Sequence, residues 1–541
     1  MKIRARKYLS IPIILDVLFA LSGLLGMALD AGAAPPTVYA DFNGDGFDDL
    51  AVGVPDEDIG DPIQVNAGAV NVIYGSAKGL SSLGNQFLHQ NTPGILDTAE
   101  AGDLFGDTLA GGDFNGDGFD DLVVGVPEED IGNPTIPTAG AVHVIYGSAG
   151  GLSSVGDQFW HQNSSGILDT AEWFDGFGSA LAAGDFNGDG FDDVAVGVPS
   201  EGIGDPVITL AGAVNVLYGS AGGLSSVGDQ FWHQNSAGIL DTAEANDSFG
   251  SALVAGDFNG DDFYDLAVGV PEEDIGNPMI SGAGAVNVLY GSASGLSSVS
   301  DQFWHQNSTD IEGVAEPGDN FGNAMSAGDF DNDGSDDLAV GVRYEDIEAV
   351  DDNAGAVNVL YGSANGLSSI GNQVWHQNSP DIQGAAEPGD NVGNALAAGD
   401  FDGEGSDDLA VGVVGEDLGN PNIDTAGAVN VLYGSANGLS SIGNQVWHQD
   451  SAGILDRAEA FDAFGYALAA GDFNNDDSDD LAVGVAFEGI GDPVITGAGA
   501  VNVLYGSGSG LSATGDQFWS QDSPGIQDAA EAGDYFGLAV Q

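Results

Sequence analysis

The 541-residue chain contains no cysteine, so neither a disulfide framework nor a cysteine-linked lipid anchor is available to it. Basic residues are nearly missing too. Seven Lys and Arg stand against 84 Asp and Glu, a formal net charge of −77. Such a surface repels nucleic acid and anionic membrane, which argues against both as partners. It favours a soluble monomer and suits a saline medium, where screening relieves self-repulsion. No segment carries a sustained helical period with caps, and no run after residue 34 is apolar enough to span a bilayer. Zinc lacks cysteine or clustered histidine ligands. There is no Gly-x-Ser-x-Gly, no phosphate loop and no paired-carboxylate site that stands out from the acidic background.

The first 34 residues differ from the rest. Lys2, Arg4, Arg6 and Lys7 precede an apolar run from Val17 to Leu29 and the small residues Ala31-Gly-Ala33. This reads as a secretory signal peptide over residues 1–34, with an uncleaved N-terminal anchor as the alternative. A secreted or cell-surface location is expected, with no membrane insertion once the leader is cleaved.

One acidic loop is present in seven copies, beginning at Asp41, Asp113, Asp185, Asp257, Asp329, Asp400 and Asp472, with steps of 71 or 72 residues. The third reads Asp185-Phe-Asn187-Gly-Asp189-Gly-Phe-Asp-Asp193. Oxygen-bearing side chains at positions 1, 3, 5 and 9 have the spacing that wraps a hard divalent cation. A period this regular means one supersecondary unit repeated. In residues 178–249 the unit shows four short runs: Gly178–Gly184, Val194–Val198, Gly212–Tyr218 and Asp229–Gln234. They are rich in Val, Leu and aromatics and bounded by Gly, Pro, Asn and Ser, as β-strands are.

A four-stranded antiparallel sheet cannot bury both faces alone. Seven arranged radially can, which predicts an all-β, seven-bladed β-propeller over residues 35–541. A linear solenoid is the alternative, and it would need distinct capping repeats. The first acidic loop is preceded only by Thr37-Val-Tyr-Ala40. Phe536-Gly-Leu-Ala-Val540 has no acidic loop behind it. The C-terminal strand is therefore expected to supply the missing strand of blade one and close the ring.

The unit resembles the FG-GAP repeat of integrin α-subunit propellers. The Phe-Gly half stands at Phe105-Gly106, Phe177-Gly178, Phe249-Gly250, Phe321-Gly322, Phe464-Gly465 and Phe536-Gly537, with Val392-Gly393 in blade six. The Gly-Ala-Pro half stands at Gly53-Val-Pro55, Gly125-Val-Pro127, Gly197-Val-Pro199 and Gly269-Val-Pro271. It lapses at Arg343, Val414 and Ala486.

The resemblance implies calcium, up to seven ions, in the loops between the first two strands of each blade. In the family pattern positions 1, 3, 5 and 9 give side-chain oxygens and position 7 a backbone carbonyl. The ligands would be Asp41, Asn43, Asp45, Phe47 and Asp49; Asp113, Asn115, Asp117, Phe119 and Asp121; and Asp185, Asn187, Asp189, Phe191 and Asp193. The fourth loop offers Asp257, Asn259, Asp261, Phe263 and Asp265, and the fifth Asp329, Asp331, Asp333, Ser335 and Asp337. The sixth offers Asp400, Asp402, Glu404, Ser406 and Asp408, and the seventh Asp472, Asn474, Asp476, Ser478 and Asp480.

Calcium accepts irregular oxygen geometry better than magnesium does. Asp262 and Asp477 replace the position-6 glycine, and Glu404 puts a longer arm at position 5, so loops one, two, three and five are expected to bind best. The ion is expected to be structural, its binding energy becoming folding energy.

A Trp-His-Gln run recurs at the fourth strand, as at Trp160-His161 and Trp232-His233. It could form a sugar-binding or pH-sensing ring, but repetition favours blade packing. Acidic connectors such as Pro127–Pro134 and Ile167–Glu172 should lie on the face opposite the loops, where partners would bind. The departures from the repeat that stand out are Trp173, His143 and the stretch from Arg343 to Asp352.

The expectation is a secreted, calcium-stabilised adhesion or binding module for an extracellular protein or glycan, and not an enzyme. The alternatives are a hydrolase or lyase acting on an extracellular polymer and a structural matrix component.

Overall fold

The computed structural model describes residues 40–347, 353–419 and 421–541. The leader read over residues 1–34 and part of the Arg343–Asp352 stretch lie outside the described residues. Among those described there is no helix, and so none long and apolar enough to cross a membrane.

The strands fall into seven four-stranded antiparallel sheets arranged as propeller blades. Blade one holds β1 (Leu50–Val54), β2 (Ala69–Tyr74) and β3 (Ser81–Leu88); blade two holds β4 (Leu109–Gly112), β5 (Asp121–Val126), β6 (Ala141–Tyr146) and β7 (Ser153–Trp160). The second and third strands are Val- and Leu-rich and buried on both faces, as β5 is throughout. That is why they read as continuous apolar runs rather than as alternating ones. The fourth strand begins earlier than its sequence suggests: in blade three it starts at Ser225, not Asp229. Its first half, Ser225–Gly228, is largely exposed, Val227 included, and a bulge opposite Val216–Tyr218 shifts its register, so a buried apolar pattern does not mark its start.

Neighbouring blades bury their faces against each other in seven apolar clusters. Phe42, Val70 and Val72 of blade one meet Phe105, Leu122 and Val124 of blade two. The equivalent cluster between blades seven and one joins Val501 and Val503 to Leu50, Val52 and Phe536. The Phe-Gly and Gly-x-Pro halves meet in these seams. Gly178 N–H donates to the Gly197 carbonyl of its own blade at 3.0 Å, and a Cβ on Gly125 of the preceding blade would stand 2.4 Å from the Gly178 oxygen. Only glycine permits that approach.

The ring closes as expected. Ala539–Val540 pairs with β1 through Val52↔Val540 and Gly53↔Ala539, and Ala51 and Gln541 exchange backbone hydrogen bonds at 2.9 and 3.0 Å. Side chains cross the same seam: Leu80 N–H donates to the Tyr505 hydroxyl at 3.3 Å, just as Leu152 N–H donates to Tyr74 at 3.1 Å between blades one and two.

Removing residues 533–541 strips blade one of its inner strand and takes Phe536 from the closing cluster. Thermal unfolding followed by circular dichroism is expected to shift down by several degrees and to broaden; an unchanged melting curve would refute closure.

Candidate metal centres

Each acidic loop joins the first strand of its blade to the second, and its local geometry is set by its own carboxylates. In loop two the Asp113 side chain accepts N–H groups from Gly116, Asp117 and Gly118 at 2.7, 3.1 and 2.8 Å, which curls the chain round it. Asp117 accepts from Phe119 N–H at 3.2 Å. Asn115 Nδ2 reaches both oxygens of Asp121 at 3.3 and 3.1 Å. Asp121 is fully buried and also accepts from the Gly147 and Phe114 N–H groups. Positions 3 and 9 thus meet, while positions 1 and 5 wrap the loop's own backbone.

Loops one, three and four repeat the Asn43, Asn187 and Asn259 contacts to Asp49, Asp193 and Asp265, and loop seven repeats Asn474 to Asp480. Position-2 phenylalanines such as Phe114 and Phe186 are fully buried and anchor the loop in the blade. At position 7, the Phe119 ring lies over Gly44 of the neighbouring loop. Asp262 and Asp477 keep the glycine geometry, with φ of 68° and 69°. Their N–H groups still donate to Asp257 and Asp472 at 2.8 and 3.0 Å, so the bend survives the substitution.

Two oxygens bear on whether this donor set suits a cation. Asp331 Oδ1 in loop five and Asp408 Oδ2 in loop six are buried with no hydrogen-bond partner. In both loops Asp replaces the position-3 Asn, so the amide bridge to position 9 is gone. Asp329, Asp331 and Asp333 bring oxygens within 4.8 Å of one another. An all-oxygen set with unmet acceptor capacity fits a hard divalent ion.

The electrostatics agree. Burial pushes the Asp121 carboxyl up to about 8, and Asp113 and Asp117 beside it add to the rise. Asp193 likewise rises to about 8 and Asp337 to about 9, again chiefly through burial.

Position 8 has a role that the spacing of ligands did not reveal. The Asp120 carboxylate accepts from Asp41 N–H in the preceding loop at 2.8 Å, and Asp120 N–H returns a bond to the Asp41 carbonyl at 3.3 Å. Asp192, Asp336, Asp407, Asp479 and Asp48 make the same side-chain contact to the loop before each. This carboxylate therefore stitches the loops together at six seams; between loops three and four Tyr264 takes the position, and its N–H donates to the Asp185 carbonyl at 3.2 Å.

The Trp-His-Gln run packs blades. Gln234 donates to Glu273 of the next blade at 2.6 Å. Trp232 donates through Nε1 at 3.4 Å to Gln230, two residues before the run; Gln230 also accepts from the Tyr218 hydroxyl at 2.6 Å and donates to the Leu296 carbonyl of the next blade. His233 accepts from Asn235 N–H at 3.1 Å, and burial lowers its pKa. His143 is fully buried between Phe105 and Phe159, 3.4 Å from Asp157. Trp173 is exposed on a connector.

On that connector face a second feature breaks the sevenfold pattern. Phe461, Phe487, Val494 and Tyr535 line a cleft of about 560 Å³ with Glu459 and Asp462 at its edge. Phe487 meets Tyr466 and Tyr535 edge-on at 5.5 and 5.3 Å. Superposing the repeats would have found it, since Phe487 stands where the other blades carry polar residues, Gly415 or Tyr344.

The family model for the FG-GAP repeat matches residues 37–73, 105–145, 177–217, 249–289, 321–360 and 464–504. It passes over blade six, where Val392 replaces the phenylalanine. Phosphatidylinositol-glycan-specific phospholipase D of Rattus norvegicus is 38% identical over 163 residues, 30% of this chain and 18% of that protein. Integrin alpha-3 of Cricetulus griseus is 32% identical over 203 residues, 36% of this chain and 16% of that protein. The chain thus spans less than a fifth of the length of these relatives. Among solved structures, rhamnogalacturonan lyase YesW is 12% identical with a TM-score of 0.32, covering 70% of this chain and 69% of that one.

The expectation of a chain that is not an enzyme is corrected by the phospholipase D match, which puts an enzyme among the relatives. The physical reason is that a propeller is a scaffold, and a site grafted on one of its faces needs no signature in the repeat.

A carboxyl whose folded pKa is raised contributes stability below its unfolded value, about 3.9, and loses it as pH climbs through the folded value. With EDTA present, the melting temperature is therefore expected to fall between pH 5 and pH 9, as Asp121, Asp193 and their equivalents ionise. Saturating calcium should abolish or reverse that fall. Scanning calorimetry at both ends of the range checks it, and a pH-independent melt in EDTA would refute it.

Proposed function

Since the chain is an FG-GAP repeat protein that resembles the integrin α-subunit propeller, we propose that it is an exported, calcium-stabilised recognition module. Its connector face binds an extracellular glycan or protein. The seven loops hold calcium through their position 1, 3, 5 and 9 side chains. The ion's chemistry is charge cancellation: it offsets the repulsion among carboxylates that burial has gathered, and it ties the first strand of each blade to the second. The basic start and apolar run of residues 1–34 support export.

The observation that carries the recognition role is the cleft between Phe461, Phe487 and Tyr535. There three rings that depart from the repeat gather into a cleft, Phe487 packing on Tyr535 beside Phe461, and part-exposed rings beside a carboxylate are what a recognition surface displays. The rings offer flat apolar faces to the C–H side of a sugar, while exposed Glu459 accepts its hydroxyl protons. That arrangement favours a neutral glycan over an anionic one, which the surrounding charge repels.

Glycan and surface-protein arrays, probed with the calcium-loaded chain, test the reading. Phe487→Ala is expected to weaken the strongest hit by about tenfold or more, the usual effect of losing an aromatic anchor. Because Phe487 is 40% exposed and packs on two rings, the melting temperature should fall by no more than a few degrees. EDTA is expected to abolish binding to the same hit. Binding that survives the substitution moves recognition away from the cleft.

A further inference from the structure

The connector face carries a second ring of carboxylates that the loops do not use. In the seam between blades one and two, Glu100 and Asp103 come from the connector that leads into β4, and Glu129 from the connector between β5 and β6. Their oxygens lie within 4.8 Å of one another. The same triad recurs at Glu172, Asp175 and Glu201, at Glu244, Asp247 and Glu273, and at Glu316, Asp319 and Glu345. Two members of the first three triads are buried, Asp103 being 2% exposed and Glu129 1%. No lysine or arginine pairs with them among the described residues.

Crowding and burial act together on these groups. Burial raises the Glu129 carboxyl to about 10, with Asp103 and Asp97 adding to it. Glu201 and Glu273 rise to about 9 for the same reason.

Two independent observations show unmet oxygen acceptors at these seams. Gln90 donates through Nε2 to Glu129 at 2.6 Å, yet its Oε1, on the same planar amide, is buried without a partner. The glutamines at this position in all seven blades share that orphaned oxygen, through Gln521, which donates to Glu57 at 2.5 Å. Glu273, fully buried, keeps Oε1 unpartnered inside its triad while Gln234 holds Oε2. A buried acceptor left open seven times over is costly unless something fills it.

A fourth carboxylate approaches in some seams. Asp97 and Asp241 sit beside Glu129 and Glu273. Both hold left-handed backbone, φ 71° and 80°, at a position where blades five and six use Gly313 and Gly384.

We infer that each of these seams is a second cation site. A hard divalent ion of the calcium class is held there by the connector's Glu and Asp, the following blade's Glu and the Gln amide oxygen. Carboxylate and amide oxygens are the donors such an ion takes, and the absence of sulfur and clustered imidazole disfavours zinc. Seams with the fourth Asp bind more tightly than those with glycine. The ion clamps the connector leaving one blade to the connector of the next, opposite the loop sites. Beside the aromatic cleft the seam group is Glu459, Asp462 and Glu488, so a cation there borders the recognition surface.

Native mass spectrometry of the full chain with calcium counts the ions. The expected result is more ions than the seven loops account for. The triple variant E129Q/E201Q/E273Q keeps shape and hydrogen bonding but removes three charges, and it should lose three ions. A loop variant, D193N, should lose a different one. If the triple variant keeps the wild-type count, the seam sites are overturned. If D193N keeps the full count while the triple variant loses ions, the loop reading fails and the seam sites stand. Should the triple variant not fold, E129Q alone, expected to lose one ion, decides the matter; an unchanged count with E129Q overturns the proposal.

Discussion

The packing of one sheet face on the next governs this molecule. No blade buries both faces of its sheet by itself, and each does so by meeting two neighbours. Val70 and Val72 need Leu122 and Val124, and those in turn pack at the next seam through Val123, Val142 and Val144. The motif residues serve that contact. Fully buried Phe105 plugs the seam, while the glycines let backbone approach backbone where any side chain would intrude. Stability is therefore shared round the ring and cannot be assigned to a blade.

That shared core coexists with an extreme charge. With almost no lysine or arginine to pair with, the acidic groups find hydrogen bonds instead. Loop carboxylates take up backbone N–H groups, and buried Asp121 takes three donors. The arrangement holds the backbone but leaves the charge itself unbalanced, and burial makes the imbalance expensive. A divalent ion bound there would answer two carboxylates without adding a side chain to be packed.

The architecture was legible because it is written seven times. A fixed period, four strand-like runs and the offset between the first loop and the last strand were enough to place the blades and the closure. What escaped the reading was what the period conceals. The start of the fourth strand is Ser- and Gly-rich, and its one apolar residue, such as Val227, faces solvent, so it carries no signal of burial. Asp120 looks like a surplus acid until the seam sets it against Asp41 N–H. Glu100 and Glu129 belong to different connectors, and only the docking of neighbouring blades makes them neighbours. The aromatic cleft is an exception to the repeat, visible only when the copies are laid over one another at Phe487.

The pairing of Val52 with Val540 joins positions almost a whole chain apart. Every other blade is assembled from contiguous sequence, so its strands can find each other quickly. The first sheet cannot be finished until the remaining six have formed and curved far enough round to deliver its partner. Until that moment the molecule is an arc with a bare strand at one end and a lone strand at the other. Two such arcs could complete each other as readily as one completes itself, so crowded refolding should trap interlocked chains that dilution avoids.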